Sequence, residues 1–295
     1  MLDDNLVSNS HKSYMRSWSS YCAFVTDVLC QKSVWIDSAM LLLFMAHLQG
    51  KGLQNSTIST TVSAIRYVAK HQGFQDPGDN FLVATALAGL AKSRRSVDVR
   101  MPITIPILSK LIRVVNLLAD SDYKRCLLCA MFSLAFFGCL RIGEITSRSG
   151  KEPPTILRSD LHLDSCLSMS LTIRNYKHSK GSRPFTISFE PQPDKAICPV
   201  VNMHRYLAVA RVSPNAPLFV RADGATVSRD FFNSNLSKYL KACSLNPEFL
   251  KGHSFRIGSA SFMAQKGFSD ADIQKLGRWH SDAFKKYIRN TSFTM

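Results

Sequence analysis

Arg125-Cys-Leu-Leu-Cys-Ala-Met-Phe-Ser-Leu-Ala-Phe-Phe-Gly-Cys-Leu-Arg141-Ile-Gly-Glu144 is the stretch whose reading decides the fold. Its 15 residues from Cys126 to Leu140 carry no charge and lie between two arginines. A bilayer-spanning helix needs about 18–20 such residues, so this run reads as a helix buried in a protein core. Outward from it the pattern stays helical on the N-terminal side, at Leu108–Leu118, and then changes. Leu167-Ser-Met-Ser-Leu-Thr-Ile173 and Phe185-Thr-Ile-Ser-Phe189 alternate apolar and polar residues, which predicts a β-hairpin with a basic tip over 175–182. Helices return at about Val200–Val212, Asp230–Cys243, His253–Gln265, Asp270–Leu276 and Asp282–Ile288, with Ser269 and Asp272 resembling a capping box.

The first hundred residues are helical throughout. Tyr14, Trp18, Tyr21, Phe24, Val25 and Val28 recur at a spacing of three or four, the mark of an amphipathic helix. Asp37 is placed to cap a second helix running to Leu48 and stopped by Gly50. Asn55 or Ser56 opens a third, to Gln72, and Asp79 a fourth, to about Ala91. Lys92-Ser-Arg-Arg-Ser-Val-Asp-Val-Arg100, followed by Pro102 and Pro106, then reads as a basic linker with helix breakers. The expected class is mainly α with a small antiparallel β-sheet. The expected organisation is an all-helical domain at 1–91, a linker at 92–105 and a mixed domain at 106–295.

Composition narrows the partner. The chain has 295 residues, 37 Lys and Arg against 21 Asp and Glu, and a formal net charge of +16. Residues 1–100 carry +3 of that and residues 101–295 carry +13. Such a balance puts a polyanion, most simply nucleic acid, ahead of a membrane surface. Glutamate occurs only at 144, 152, 190 and 248. A two-metal nuclease needs several convergent carboxylates, so no metal is expected. No basic start with an apolar core opens the sequence, and the eight cysteines sit in apolar surroundings without a disulfide or zinc framework. An intracellular protein is expected. The one CxxC, Cys126 to Cys129, lies inside the apolar helix and reads as packing.

Five features of the basic part bear on chemistry. Arg141 follows the apolar run directly, and Glu144, three residues on, is placed to hold its guanidinium, as an isolated structural ion pair would be too. His253 and Arg256, in Gly252-His-Ser-Phe-Arg-Ile-Gly258, share a face near a helix start, where backbone N–H groups favour a phosphate. Leu276-Gly-Arg-Trp-His280 comes next. Tyr287 is flanked by Lys285, Lys286 and Arg289, cations that favour its phenolate; an isolated tyrosine on such a helix usually packs. The hairpin tip, Tyr176 to Arg183, contains Lys177 and Lys180.

Taken in order, Leu-Arg141-Ile-x-Glu144, a hairpin lysine, His253-x-x-Arg256, Gly-Arg-Trp-His and a tyrosine 31 residues after Arg256 resemble the tyrosine recombinase (phage integrase) superfamily. The likeness spans the whole chain. The wording Gly-His-Ser-Phe-Arg-Ile-Gly with Leu-Gly-Arg-Trp-His-Ser-Asp-Ala-Phe-Lys-Lys-Tyr-Ile-Arg is similar to recombinases of Crypton and DIRS mobile elements. The resemblance implies a core-binding domain, a catalytic domain, and site-specific cleavage and rejoining of double-stranded DNA recombination sites without cofactor, metal or ATP. It implies a tetramer on synapsed DNA, with monomers or dimers free of it, and a nuclear location if the source is eukaryotic.

By the same resemblance Arg141 and Arg256 clamp the scissile phosphate, Tyr287 is the nucleophile, His253 takes its proton and Glu144 orients Arg141. The general acid is Lys177, with Lys180 as the alternative. The family's His or Trp after the glycine falls here on Arg278, nine residues before Tyr287. Trp279 is expected to fill that role, with His280 as the alternative. Lys92, Arg94, Arg95, Arg100, Arg183, Arg278, Lys285, Lys286 and Arg289 are the expected DNA contacts. Only eight residues follow Tyr287, short for the helix that family members exchange between protomers. Two other readings remain: a catalytically silent DNA-binding protein that keeps the fold, and a type IB topoisomerase.

Overall fold

Asp37 does what its place before an apolar run predicts: its side chain accepts from the Met40 N–H at 2.8 Å and opens a helix over Ser38–Gly50. The computed structural model describes residues 8–93, 99–147, 156–164, 168–174, 176 and 184–289. The chain divides into two compact units, Met1–Asp98 and Val99–Met295. In the first, α1 (Ser8–Ala23) runs into a π-helical turn at Phe24–Val28 and is followed by α2 (Ser38–Gly50), α3 (Asn55–His71) and α4 (Phe81–Ser93). Tyr21, Leu41, Phe44, Ile58, Val62 and Ile65 are fully buried between them. Of the residues that predicted the first helix, Tyr21, Phe24 and Val25 join this core, whereas Val28 is exposed.

The fourth helix starts two residues later than expected, because Asp79 has another partner. Its carboxylate accepts from Arg66 at 3.1 Å, and Asn80 takes over the helix start by accepting from the Leu82 N–H at 2.8 Å. The same Arg66 makes a two-pronged pair with Asp76, both contacts at 2.8 Å, and Lys70 and the Gly78 N–H add to it. These bonds, Arg66 first, hold the buried Asp76 carboxyl well below the usual carboxylate range.

The second unit is built around α6 (Asp122–Phe137), whose residues Leu127 to Phe136 are all buried. A helix apolar on every side must be covered on every side. Here α5 (Ile105–Leu118), α8 (Pro199–Val209) and α10 (Ser254–Gln265) pack on it. Burial pushes the Cys129 thiol up to about 12, away from the range of a reactive thiolate. The approach of α10 to the segment before α5 is a backbone contact: Ile103 N–H donates to Ser254 O at 3.0 Å, and a Cβ on Gly258 would lie 1.8 Å from Ile103 O. Only glycine fits there.

The expected class is the one observed. The sheet is antiparallel in the order β1 (Leu161–Asp164), β2 (Ser168–Ile173), β3 (Phe185–Phe189). Met169, Leu171 and Ile173 stand opposite Phe189, Ile187 and Phe185, so one face is apolar. Strand β1 was not anticipated, nor was the four-residue α7 (Ile142–Ile145). The helix expected to reach Leu140 ends at Phe137, since Cys139 adopts the left-handed conformation at φ +47°. The last elements are α9 (Arg229–Ala242), α11 (Asp270–Gly277) and a 3-10 helix at Asp282–Tyr287. Among the described residues no helix is long and apolar enough to cross a membrane.

The Asp76 pair gives a pH signature. Because folding lowers the Asp76 pKa, its stabilisation is present above the unfolded value of about 3.9 and is lost as pH falls through the folded one. Asp76→Asn is expected to destabilise the N-terminal unit by about 1–3 kcal/mol at pH 7, by removing the charge-assisted bonds that the buried carboxylate accepts from Arg66 and Lys70. It should also flatten the acid limb below pH 4. Chemical denaturation followed across pH checks this, and an unchanged midpoint at pH 7 would contradict it.

Candidate active site

The turn after α6 aims a carbonyl inward. Left-handed Cys139 is fully buried, and its carbonyl oxygen accepts from two guanidinium groups, Nη1 of Arg256 and Nη2 of Arg278, the latter at 3.2 Å. Two residues on, Arg141 caps α7. Its backbone N–H donates to Oε2 of Glu144 at 2.9 Å and its Nη1 to Oε1 at 3.1 Å. The Glu144 side chain is 5% exposed and that of Arg141 25%, so the carboxylate is the buried partner and the guanidinium faces out. The expected pairing of Glu144 with Arg141 is present.

Arg256 stands in the first turn of α10, one turn beyond His253, and is 1% exposed. Besides Cys139, it donates through Nη2 to Gly277 O at 2.8 Å, and its guanidinium carbon lies 4.3 Å from the centre of the Trp279 ring. Such stacking is worth about 0.5–2 kcal/mol. Burial foremost, with Arg141 and Arg278 nearby, lowers the Arg256 pKa against the opposing pull of Cys139 and Glu144. Two of the five guanidinium donors are taken by carbonyls. Arg256 also lines a cleft.

Arg278 corrects an expectation. Placed among the DNA contacts by sequence, it is 1% exposed and donates through Nη2 to Glu144 Oε2 at 2.8 Å and through Nη1 to Leu276 O at 2.8 Å. A left-handed backbone at φ +53° ends α11 and turns the side chain inward. The same turn brings Trp279 back over Gly277, where a Cβ would lie 1.6 Å from the indole. Trp279 is half-buried and His280 exposed.

Tyr287 ends the 3-10 helix, which is fastened at two points. Phe284 is buried in a cluster with Cys139, Ala260, Met263 and Ile273. Ser261 of α10 donates to the Tyr287 carbonyl at 3.1 Å and accepts from the Arg289 N–H at 2.9 Å. The Tyr287 ring centre lies 4.9 Å from that of His253 and 5.3 Å from that of Trp279. Arg141, Glu144, His253, Arg256, Trp279 and Tyr287 are thus brought into one connected cluster.

A cleft of about 330 Å³ opens beside them. Arg141, His253 and Arg256 line it together with Arg229, Asn233 and Lys251, and among the described residues no carboxylate does. The last three escaped the sequence reading. Lys251 adjoins Gly252-His253 and was open to notice. Arg229 and Asn233 come from the start of α9, and nothing in their local sequence links them to α10. Among the described residues the buried Nε of Arg229 has no hydrogen-bond partner.

The remaining expected contacts are dispersed. Lys92, Lys285 and Lys286 are exposed, and Arg100 and Arg289 half-buried. Lys285 pairs with Asp282 at 3.2 Å and with Asp270 at 3.7 Å, which raises its pKa and offsets its charge. Arg94, Arg95, Lys177, Lys180 and Arg183 lie outside the described residues. Among the described residues no cluster of His, Cys, Asp or Glu is arranged to hold a metal ion.

Neither a protein-family model nor a curated protein matches the sequence. Solved structures do. The chain is similar to the XerH site-specific recombinase bound to palindromic difH substrate in a post-cleavage complex. The TM-score is 0.66 at 15% identity, over 95% of this chain and 75% of that one. The Tn1549 transposon integrase in complex with circular intermediate DNA gives 0.65 at 13%, over 98% and 92%. A lambda integrase dimer bound to a COC′ core site gives 0.61 at 13%, over 99% and 75%. At these identities the likeness establishes the fold, that of the tyrosine recombinases.

The close seat of Trp279 on Gly277 is testable. Gly277→Ala is expected to lift the indole off Arg256 and to cost about 1–3 kcal/mol through overpacking. Trp279 emission, read in a protein whose other two tryptophans are replaced by phenylalanine, should shift and the melting temperature fall. Unchanged emission would mean that the contact is not made in solution.

Proposed function

We propose that this protein is a site-specific DNA recombinase that breaks and rejoins strands through a covalent tyrosyl intermediate. The observation that carries the reading is the seating of Tyr287 against His253 and Trp279, with Trp279 in turn on the buried Arg256. A tyrosine, a proton acceptor and fixed cations beside a carboxylate-free cleft are the parts that phosphoryl transfer to a tyrosine requires. The relatives in the fold were solved on DNA, as recombinase and integrase complexes.

In this reading Arg141 and Arg256 hold the two non-bridging oxygens of one phosphate, where the pentacoordinate transition state gathers negative charge. The Tyr287 hydroxyl attacks phosphorus and passes its proton to His253. The bond to the 5′-oxygen breaks as the hairpin lysine, Lys177 before Lys180, gives that oxygen a proton. The product is a 3′-phosphotyrosyl link and a free 5′-hydroxyl. Reversal by the 5′-hydroxyl of another strand rejoins the DNA, and since the bond energy is kept no ATP is called for. Trp279 supports the Arg256 guanidinium. The first unit, near 1–91, serves as a core-binding domain and 106–295 as the catalytic domain, joined by the basic segment 92–105. The wording of the two C-terminal motifs favours a mobile-element recombinase acting as a tetramer on paired sites.

Incubation with a nicked suicide duplex, on which the cleaved strand diffuses away, tests this. The protein should accumulate as a covalent DNA adduct, and Tyr287→Phe should bind the same duplex and form none. An adduct that persists in Tyr287→Phe contradicts the assignment. Binding without any adduct in the unaltered protein would instead favour a catalytically silent DNA-binding protein. Affinity should also fall steeply with salt, by a slope of about 0.9 per phosphate neutralised on a log–log plot.

A further inference from the structure

We infer that Arg278 is a positioning residue of the proposed reaction, holding both phosphate-facing arginines in place without itself reaching DNA. The inference rests on the recombinase reading. Arg278 stands where sequence order would put a phosphate donor, yet its side chain is 1% exposed. Its bonds go to the protein: Glu144 at 2.8 Å, Cys139 O at 3.2 Å and Leu276 O at 2.8 Å.

Two of those three acceptors are the supports of the phosphate arginines. Glu144 offers Oε2 to Arg278 and Oε1 to Arg141, and the Cys139 carbonyl serves Arg278 and Arg256 together. The second anchor of Arg256, the Gly277 carbonyl, belongs to the residue just before Arg278. A single guanidinium therefore ties α7, the turn after α6 and the end of α11 to one another. The backbone conformation that aims it inward is left-handed, at φ +53°, and costs a non-glycine residue about 1–2 kcal/mol. The arrangement needs a planar fork. A lysine in the same place keeps the charge but presents one nitrogen, too compact to reach three separated acceptors.

The experiment compares full-length Arg278→Lys, Arg278→Met, Glu144→Gln and the Glu144→Gln/Arg278→Met pair, all well below their melting temperatures. DNA affinity and the single-turnover rate of adduct formation at saturating nicked duplex are measured for each. Arg278→Lys keeps a cation beside the buried carboxylate, and the double variant removes both charges, so a folded protein is secured if Arg278→Met alone is not. Affinity should stay within about threefold, since it is spread over many phosphate contacts. The rate should drop by about 100-fold in Arg278→Met and in Arg278→Lys alike, the scale of an ångström's misplacement of reacting groups. Because Arg278 acts through Glu144 as well as through the Cys139 carbonyl, the double variant should lose clearly less than the product of the two single losses.

Multiplicative losses in the double variant would overturn the inference by showing that Arg278 acts on the phosphate independently. Unchanged rates with lowered melting temperatures would overturn it in favour of a purely structural ion pair. A tenfold loss of affinity at an unchanged rate would make Arg278 a DNA contact. In each of these outcomes the unaltered protein still forms its adduct, so the recombinase reading stands; an inert unaltered protein removes that reading and the inference with it.

Discussion

A guanidinium taken out of water costs several kcal/mol unless its charge and N–H groups are met, and the second unit buries Arg256 and Arg278 side by side. What offsets this cost is the Glu144 carboxylate and three carbonyls, those of Cys139, Leu276 and Gly277. Left-handed Cys139 points its oxygen at both side chains, and Glu144 accepts from the same Nη2 of Arg278 as well as from Arg141. Without that turn α6 would simply continue, and nothing at its end would accept from an arginine on α10. The turn thus converts an apolar core helix into the floor of a cationic cleft.

The rest of the site hangs from the same floor. Phe284 and Cys139 belong to one buried cluster, so the turn that orients the arginines shares its packing with the short helix carrying Tyr287. Ser261 locks that helix to α10 from the other side, one turn and a half beyond Arg256 on the same element. Arg256, His253 and Tyr287 are therefore fixed relative to one another through a few contacts rather than through long loops. Electrostatic stabilisation of a transition state depends on groups already in place when charge develops. A cluster braced in this way meets that condition, which is why its geometry argues for chemistry beyond binding alone.

Much of this was legible in the sequence where it depends on neighbours along the chain. Asp37 and Ser269 announced their helices because an N-cap acts on N–H groups two or three residues away. Strands β2 and β3 showed in their alternation. The pairing of Arg141 with Glu144 followed from a spacing of three. The fate of Arg278 did not, because nothing in Leu-Gly-Arg-Trp-His signals a left-handed turn at a non-glycine residue, and a cation near a tyrosine reads as surface. Arg229 and Asn233 were invisible for a related reason: their place in the cleft is set by α9 meeting α7 and α10 in space. The four-residue elements β1 and α7 are too short for periodicity to register.

The central claim is that Arg141 and Arg256, braced by Glu144 and the Cys139 carbonyl, hold one phosphate in front of Tyr287. A crystal structure of Tyr287→Phe on a duplex nicked near its cleavage site tests it most directly. The account predicts a backbone phosphate whose two non-bridging oxygens each lie about 3 Å from an Arg141 or Arg256 nitrogen, with the substituted ring facing its phosphorus and both braces intact. A phosphate bound elsewhere, with Arg256 donating to protein carbonyls alone, would contradict it.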